Sequence, residues 1–215
     1  MNRIKSFDAP HKGLRNILGQ FSLLAGQTDY GNPEQVDKLK ALGQEMFTLL
    51  NDHVHTENEH TLKHLEEKMK GASEHDVHDH EELEKEQDVL QDSLNTLNGT
   101  QNTDEGHRFY LAFSKYHSRY LEHIYEEETV TELLLQQNFT DEELMQHRIE
   151  IMQRIQFPIL LLWLKYTIPA QSEENRVGML AGFKANAPKE AFDAVLATIK
   201  PVMKEEDYSS LVKKL

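Results

Sequence analysis

The stretch Leu39-Lys-Ala-Leu-Gly-Gln-Glu-Met46-Phe-Thr-Leu-Leu-Asn-Asp-His53-Val-His-Thr-Glu57 decides the fold class. Its apolar residues Leu39, Leu42, Met46 and Leu49 recur at spacings of three and four, which is the core stripe of an amphipathic helix. The same stripe runs on into His53 and Glu57, two polar side chains on a face that should be buried. A period-two pattern is absent here and elsewhere, and β-branched residues are sparse, so the whole chain reads as helix.

Three further stripes accompany it. An early helix carries His11, Leu14, Leu18, Phe21 and Ala25. A third carries Asp76, His80, Leu83, Gln87, Leu90, Leu94 and Leu97. A fourth carries Phe109, Phe113, Tyr116, Tyr120, His123, Glu127, Val130 and Leu134. Turn residues separate them. Asp8 is the expected N-cap of the first helix, with Pro10 in its first turn. Gly26 to Pro33 is a loop, Gly71 stops the second helix, Ser73 caps the third and Asn98-Gly99 ends it. Connections this short predict an antiparallel up-down four-helix bundle over residues 1–138.

Residues 139–215 differ in texture. Thr140-Asp-Glu-Glu143 is a capping box, and Pro158, Pro169, Ser172, Pro188 and Pro201 mark the ends of further short helices. This segment is expected to be a helical extension packing on the bundle. No internal repeat is read.

Composition narrows the function. The chain has 215 residues, 38% hydrophobic and 28% charged, enough for a sizeable core. Its net charge of −14 repels phosphate backbones, so nucleic acid is not an expected partner. No apolar run approaches the ~20 residues of a membrane span, and no secretory signal is read at the start, so no membrane is expected either. The absence of cysteine excludes thiol catalysis and Cys-zinc sites. It suits a reducing interior, and a cytoplasmic location is expected. Gly-rich phosphate loops, His-Glu-x-x-His and a serine triad signature are absent.

Ten of the chain's twelve histidines fall between His53 and His123. Each of the four stripes carries one, and His53-x3-Glu57, Asp76-x3-His80 and His123-x3-Glu127 set a carboxylate one turn from an imidazole. An ionised carboxylate in an apolar core costs several kcal/mol unless compensated. No lysine or arginine lies on the stripes beside these groups, so a bound cation is the simplest shared partner. The candidate ligands are His11, His53, Glu57, His80, His123 and Glu127. His60 continues the second stripe and is a further candidate, as ligand or supporting donor. Of the third helix's histidines only His80 keeps the core register, and His75 and His78 should face solvent. His55, His64, His107, His117 and His147 read as surface or rim.

The ordered set Asp8-Ala-Pro-His11, His53-x3-Glu57, Asp79-His80-Glu-Glu-Leu83 and His123-x3-Glu127-Glu128 resembles the hemerythrin-like (HHE cation-binding) family, across residues 8–137. The resemblance implies a non-haem centre of two iron ions. Glu57 and Glu127 would bridge them, and His11, His53, His80 and His123 would be terminal ligands. It implies binding or sensing of O2, NO or iron, without a clear enzymatic role. The chain departs from oxygen-carrying hemerythrin in two places. Its third helix offers one stripe imidazole instead of His-x3-His, and its fourth places Glu127 and Glu128 where His-x4-Asp is usual. The vacated position could be open or filled by Asp76, Glu84 or His60. Two other readings stand beside this one: a metal-free helical interaction protein, and a ferritin-like di-iron oxidase, for which only Glu57-Asn-Glu-His60 matches the required Glu-x-x-His.

Overall fold

The computed structural model describes residues 3–215, and among them every regular element is helical. The chain divides into two compact units. The first comprises residues up to Asp8 together with Ile17–Arg154, and the second comprises Ala9–Asn16 together with Ile155–Leu215.

Helix α1 spans Asp8–Gln27. Asp8 is its first residue instead of its cap, a correction to the expected boundary. The cap position falls to Phe7, which makes no side-chain cap bond. A distant side chain serves instead: the Glu132 carboxylate accepts from the backbone N of Ser6 at 2.8 Å and of Phe7 at 3.2 Å. The Phe7 N–H is one of the orphan donors of a helix start, and the Ser6 N–H lies just before it.

The second helix is α2 (Pro33–Thr56), a π-helical turn (Glu57–Thr61) and α3 (Leu62–Lys68) in unbroken succession. Asn32 caps it, accepting from the N–H of Glu34 and Gln35. The helix ends at Lys68 with Met69 extended, and Gly71, at φ +84°, takes the left-handed position of the turn that follows, closed by Ala72 N–H donating to Met69 O at 3.1 Å. Helix α4 spans Glu74–Thr96. Ser73 precedes it but does not cap it; its hydroxyl donates to Glu66 Oε2 at 2.9 Å instead. Gly99, at φ +81°, lies in the turn that follows.

The fourth long helix repeats the construction of the second. It consists of α5 (Thr103–Glu126), a π-helical turn (Glu127–Thr131) and α6 (Glu132–Asn138). A reciprocal capping box between Asn102 and Glu105 opens it. Helix α7 (Asp141–Arg154) follows, opened by the Thr140–Glu143 box: Glu143 N–H donates to Thr140 Oγ1 at 3.2 Å and Thr140 N–H to Glu143 Oε2 at 2.8 Å.

Within the first unit α4 packs on both α2 and α5, and α3 packs on α6. Gly43 lets two helices close up, since a Cβ there would stand 2.4 Å from Leu94 Cδ2. Beyond the π turns, Leu65 and Leu135 bury against Phe7, Phe139 and Leu144.

The second unit contains α8 (Phe157–Thr167), α9 (Glu173–Asn186), α10 (Lys189–Ile199) and α11 (Glu205–Lys214). Its core is Leu160, Leu164, Ile168, Leu180, Phe192, Val195, Ile199 and Leu211. No described helix is long and apolar enough to cross a membrane.

Candidate metal centre

Each long helix that carries a His-x3-Glu pair changes its winding at the glutamate. The segments align as His53-x3-Glu57-x3-Thr61-x3-Leu65 and His123-x3-Glu127-x3-Thr131-x3-Leu135. All eight residues are buried, so the inward stripe advances by four residues three times in succession. In an α-helix, twelve residues at 100° each overshoot three turns by about a third of a turn. The wider π turn absorbs that excess and keeps Thr and Leu on the face that holds His and Glu. π turns are rare and occur frequently at functional sites.

The altered winding corrects the sequence reading beyond each glutamate. Val130, expected on the core stripe, is 56% exposed, and Thr131 and Leu135 are buried in place of Val130 and Leu134. In the second helix Thr61 takes the place expected of His60. His60 is half-buried, belongs to none of the donor groups, and has its pKa lowered by burial and by the nearby charges of Arg154 and His64. The short repeat shared by the two helices also corrects the expectation of no repeat.

The six candidate ligands are all 4% exposed or less. Five lie in the first unit and come together. Glu57 Oε2 stands 3.3 Å from His53 Nε2 and 3.5 Å from His80 Nε2. Glu127 Oε1 stands 3.4 Å from His80 Nε2 and 3.3 Å from His123 Nε2, while its Oε2 faces His53 Nε2 at 3.9 Å. Glu57, His80, His123 and Glu127 each bring one donor atom within 4.8 Å of the others. His11 is fully buried in the first turns of α1, in the segment that groups with the second unit.

These separations are too long for good hydrogen bonds and right for shared coordination. Ligands about 2.0–2.2 Å from one ion, 90–109° apart, lie about 2.8–3.6 Å from each other. Nε2 of His80 and Nε2 of His123 are buried and make no hydrogen bond, which is costly unless something else occupies their lone pairs. The donor set of imidazole and carboxylate suits iron, manganese or zinc.

Around the donors lies a supporting layer that the stripe reading did not assign. His80 Nδ1 meets Asn58 Oδ1 at 2.8 Å, and Asn58 is the residue after Glu57 inside the π turn. Asp76 is buried and accepts from Thr131 Oγ1 at 2.8 Å. Burial raises the Asp76 pKa, with the nearby Glu127 carboxylate adding to the rise and the Thr131 bond opposing it. Glu84, named as a filler for the vacated position, is exposed, and Glu128 is half-buried outside the donor groups.

Two tyrosines face the donors differently. Tyr116 donates to Gln87 Oε1 at 3.1 Å. Tyr120, one turn nearer, sets its ring at steep angles 6.3 Å from His53 and 6.1 Å from His123, and its buried hydroxyl makes no hydrogen bond. Burial raises the pKa of both, which keeps them protonated. No protein-family model, curated protein or solved structure matches the chain.

Proposed function

We propose that the chain is a non-haem iron protein of the hemerythrin-like kind, whose first 138 residues form an antiparallel four-helix bundle around two iron ions. His53, His80 and His123 would be terminal ligands and Glu57 and Glu127 shared carboxylates of the centre. The family resemblance adds His11. The observation that carries this reading is the two-sided placement of Glu127, whose Oε1 serves His80 and His123 while Oε2 turns to His53. A carboxylate with its two oxygens directed at different imidazoles is what a pair of adjacent ions requires.

Iron in this donor set supplies the redox chemistry that O2 and NO respond to, so a small diatomic ligand is the proposed partner. The chain's own residues bury the donors, fix imidazole orientation through Asn58, and offer the Tyr120 hydroxyl toward the same interior. A sensing, storing or scavenging role in the cytoplasm fits better than oxidase chemistry, because the ferritin-like reading needs His60 as a ligand and His60 faces Arg154 and His64.

Metal analysis of the purified protein, with optical spectra reduced and then exposed to air, tests the proposal. Two irons per chain and an air-sensitive spectrum are expected. If protein purified natively and protein reconstituted with iron both lack stoichiometric metal, the reading fails.

A further inference from the structure

A second group of donors lies just outside the first. His75 Nε2 is 3.0 Å from Glu126 Oε2 and 3.6 Å from Asp79 Oδ2, and one donor atom from each residue falls within 4.8 Å of the others. Their side chains are 67%, 41% and 30% exposed, so solvent reaches all three. The register explains the pairing of layers. His75, Asp79 and Glu126 immediately precede Asp76, His80 and Glu127, and a single helical step of 100° separates an outward neighbour from an inward one.

Two observations connect this cluster to the interior. Asp79 faces both ways: its Oδ2 is also 3.9 Å from His123 Nδ1, a buried nitrogen that makes no hydrogen bond. A cleft opens beside His75 and Glu126, with the buried Asp76 and Thr131 among its lining residues. Its volume of about 190 Å³ gives room for a hydrated cation.

We propose that His75, Asp79 and Glu126 form an outer divalent-cation site through which metal is delivered to the buried donors. The delivery half rests on the metal reading above; the outer site itself does not. One imidazole and two carboxylates leave half of a six-coordinate sphere to water, so the ion is held weakly and released readily. Glu126 at the mouth of the cleft, with Asp79 close by, concentrates cations there and speeds their capture. A His75–Glu126 ion pair alone is worth little at this exposure and gives Asp79 no role.

The test uses full-length, metal-stripped protein and Co2+. Histidine ring protons are followed by NMR, bound ions are counted by equilibrium dialysis, and filling of the buried centre is followed by stopped-flow absorbance. His75 ring signals are expected to shift or broaden at Co2+ levels above those that fill the centre. The double variant His75→Ala/Glu126→Gln is expected to bind one ion fewer and to fill about tenfold more slowly, to the same final absorbance. His78→Ala, an exposed histidine on the same helix, should behave as wild type. Unperturbed His75 signals, or an unchanged ion count in the double variant, overturn the site. One ion fewer with an unchanged filling rate overturns the delivery role. Absence of buried-centre absorbance in the wild type counts against the buried centre and the delivery role, while the His75 signals still decide the outer site.

Discussion

His80 Nδ1 and Asn58 Oδ1 are 2.8 Å apart, joining α4 to the π turn that begins at Glu57. With the amide oxygen accepting, the Nδ1 carries the proton and the lone pair of Nε2 is left for a cation lying between it and the Glu57 and Glu127 carboxylates. Such supporting bonds set the tautomer and hold the ring. Asn58→Ala is expected to weaken metal binding by about 10–100-fold, read by competition with a chelator. An unchanged affinity would show that packing alone orients His80.

Tyr120→Phe removes a buried hydroxyl that has no hydrogen-bond partner in the protein. In metal-free protein this should leave the melting temperature unchanged or raise it, because an unsatisfied buried group costs about 1–3 kcal/mol. In iron-loaded protein it should weaken binding of azide, used as a small anionic probe, by a factor of about 5–10, the loss of one hydrogen bond. Unchanged azide affinity would leave Tyr120 as a core aromatic.

Thr131→Val keeps the shape of the side chain and removes the donor to Asp76. Loss of a partner to a buried carboxyl should cost about 1–3 kcal/mol, measured by urea unfolding of the metal-free protein. A change within a few tenths of a kcal/mol would mean that water replaces the hydroxyl.

Glu132 has its pKa raised above 4.5, burial outweighing its bonds to the Phe7, Ser6 and Gln136 N–H groups. A raised carboxyl pKa in the folded state gives stability that is full below the ordinary value and is lost as pH rises through the folded one. Glu132→Gln should therefore flatten stability against pH in that window and match or exceed wild type at pH 7. Glu132→Ala, which leaves the start of α1 without its acceptor, should cost about 1–3 kcal/mol, or roughly 2–12 °C in melting temperature for a chain of this size. Calorimetry across pH 4–7 separates the two variants.

Chelation should lower the melting temperature, since metal binds the folded donors far better than the unfolded chain. His53→Ala should lower both metal content and melting temperature. His78→Ala should change stability by no more than about 0.5 kcal/mol, the scale of an exposed substitution. His78 is the better control than His147, whose ring packs 4.1 Å from His64 and 5.0 Å from Phe139. Equal behaviour of the two variants would remove His53 from the ligand set.

Helix identity and most boundaries were legible because prolines, glycines and capping boxes act locally. Gly71, Asn98-Gly99 and Thr140–Glu143 needed no tertiary information. Ser73 misled for the opposite reason: its hydroxyl found Glu66 from another helix end. The inward-facing His53, Glu57, His80, His123 and Glu127 were legible because each sits on an uninterrupted three–four stripe. That rule assumes 3.6 residues per turn, and it failed where the winding changed, assigning His60, Val130 and Leu134 inward. The spacing of four repeated through Thr61 and Leu65, and again through Thr131 and Leu135, was the available signal. Asn58 and Thr131 carry no signal of their own, because their roles exist only once another helix is placed beside them.

The two π turns also bear on how such helices tolerate change. A long helix normally keeps its apolar seam in phase by supercoiling gradually along its length. Here the phase is reset in one step, immediately after the donors. The portions beyond, α3 and α6, are thereby mechanically decoupled from the donor-bearing portions in angular register. Closing either π turn to an ordinary turn without loss of a residue would swing Leu65 or Leu135 about 100° out of the Phe7–Phe139 core, while His53, Glu57, His123 and Glu127 keep their places; loss of one residue there would instead leave the register within about 20° of three full turns. The donors and the hydrophobic plug beyond them are thus separable pieces, joined by a hinge one residue wide.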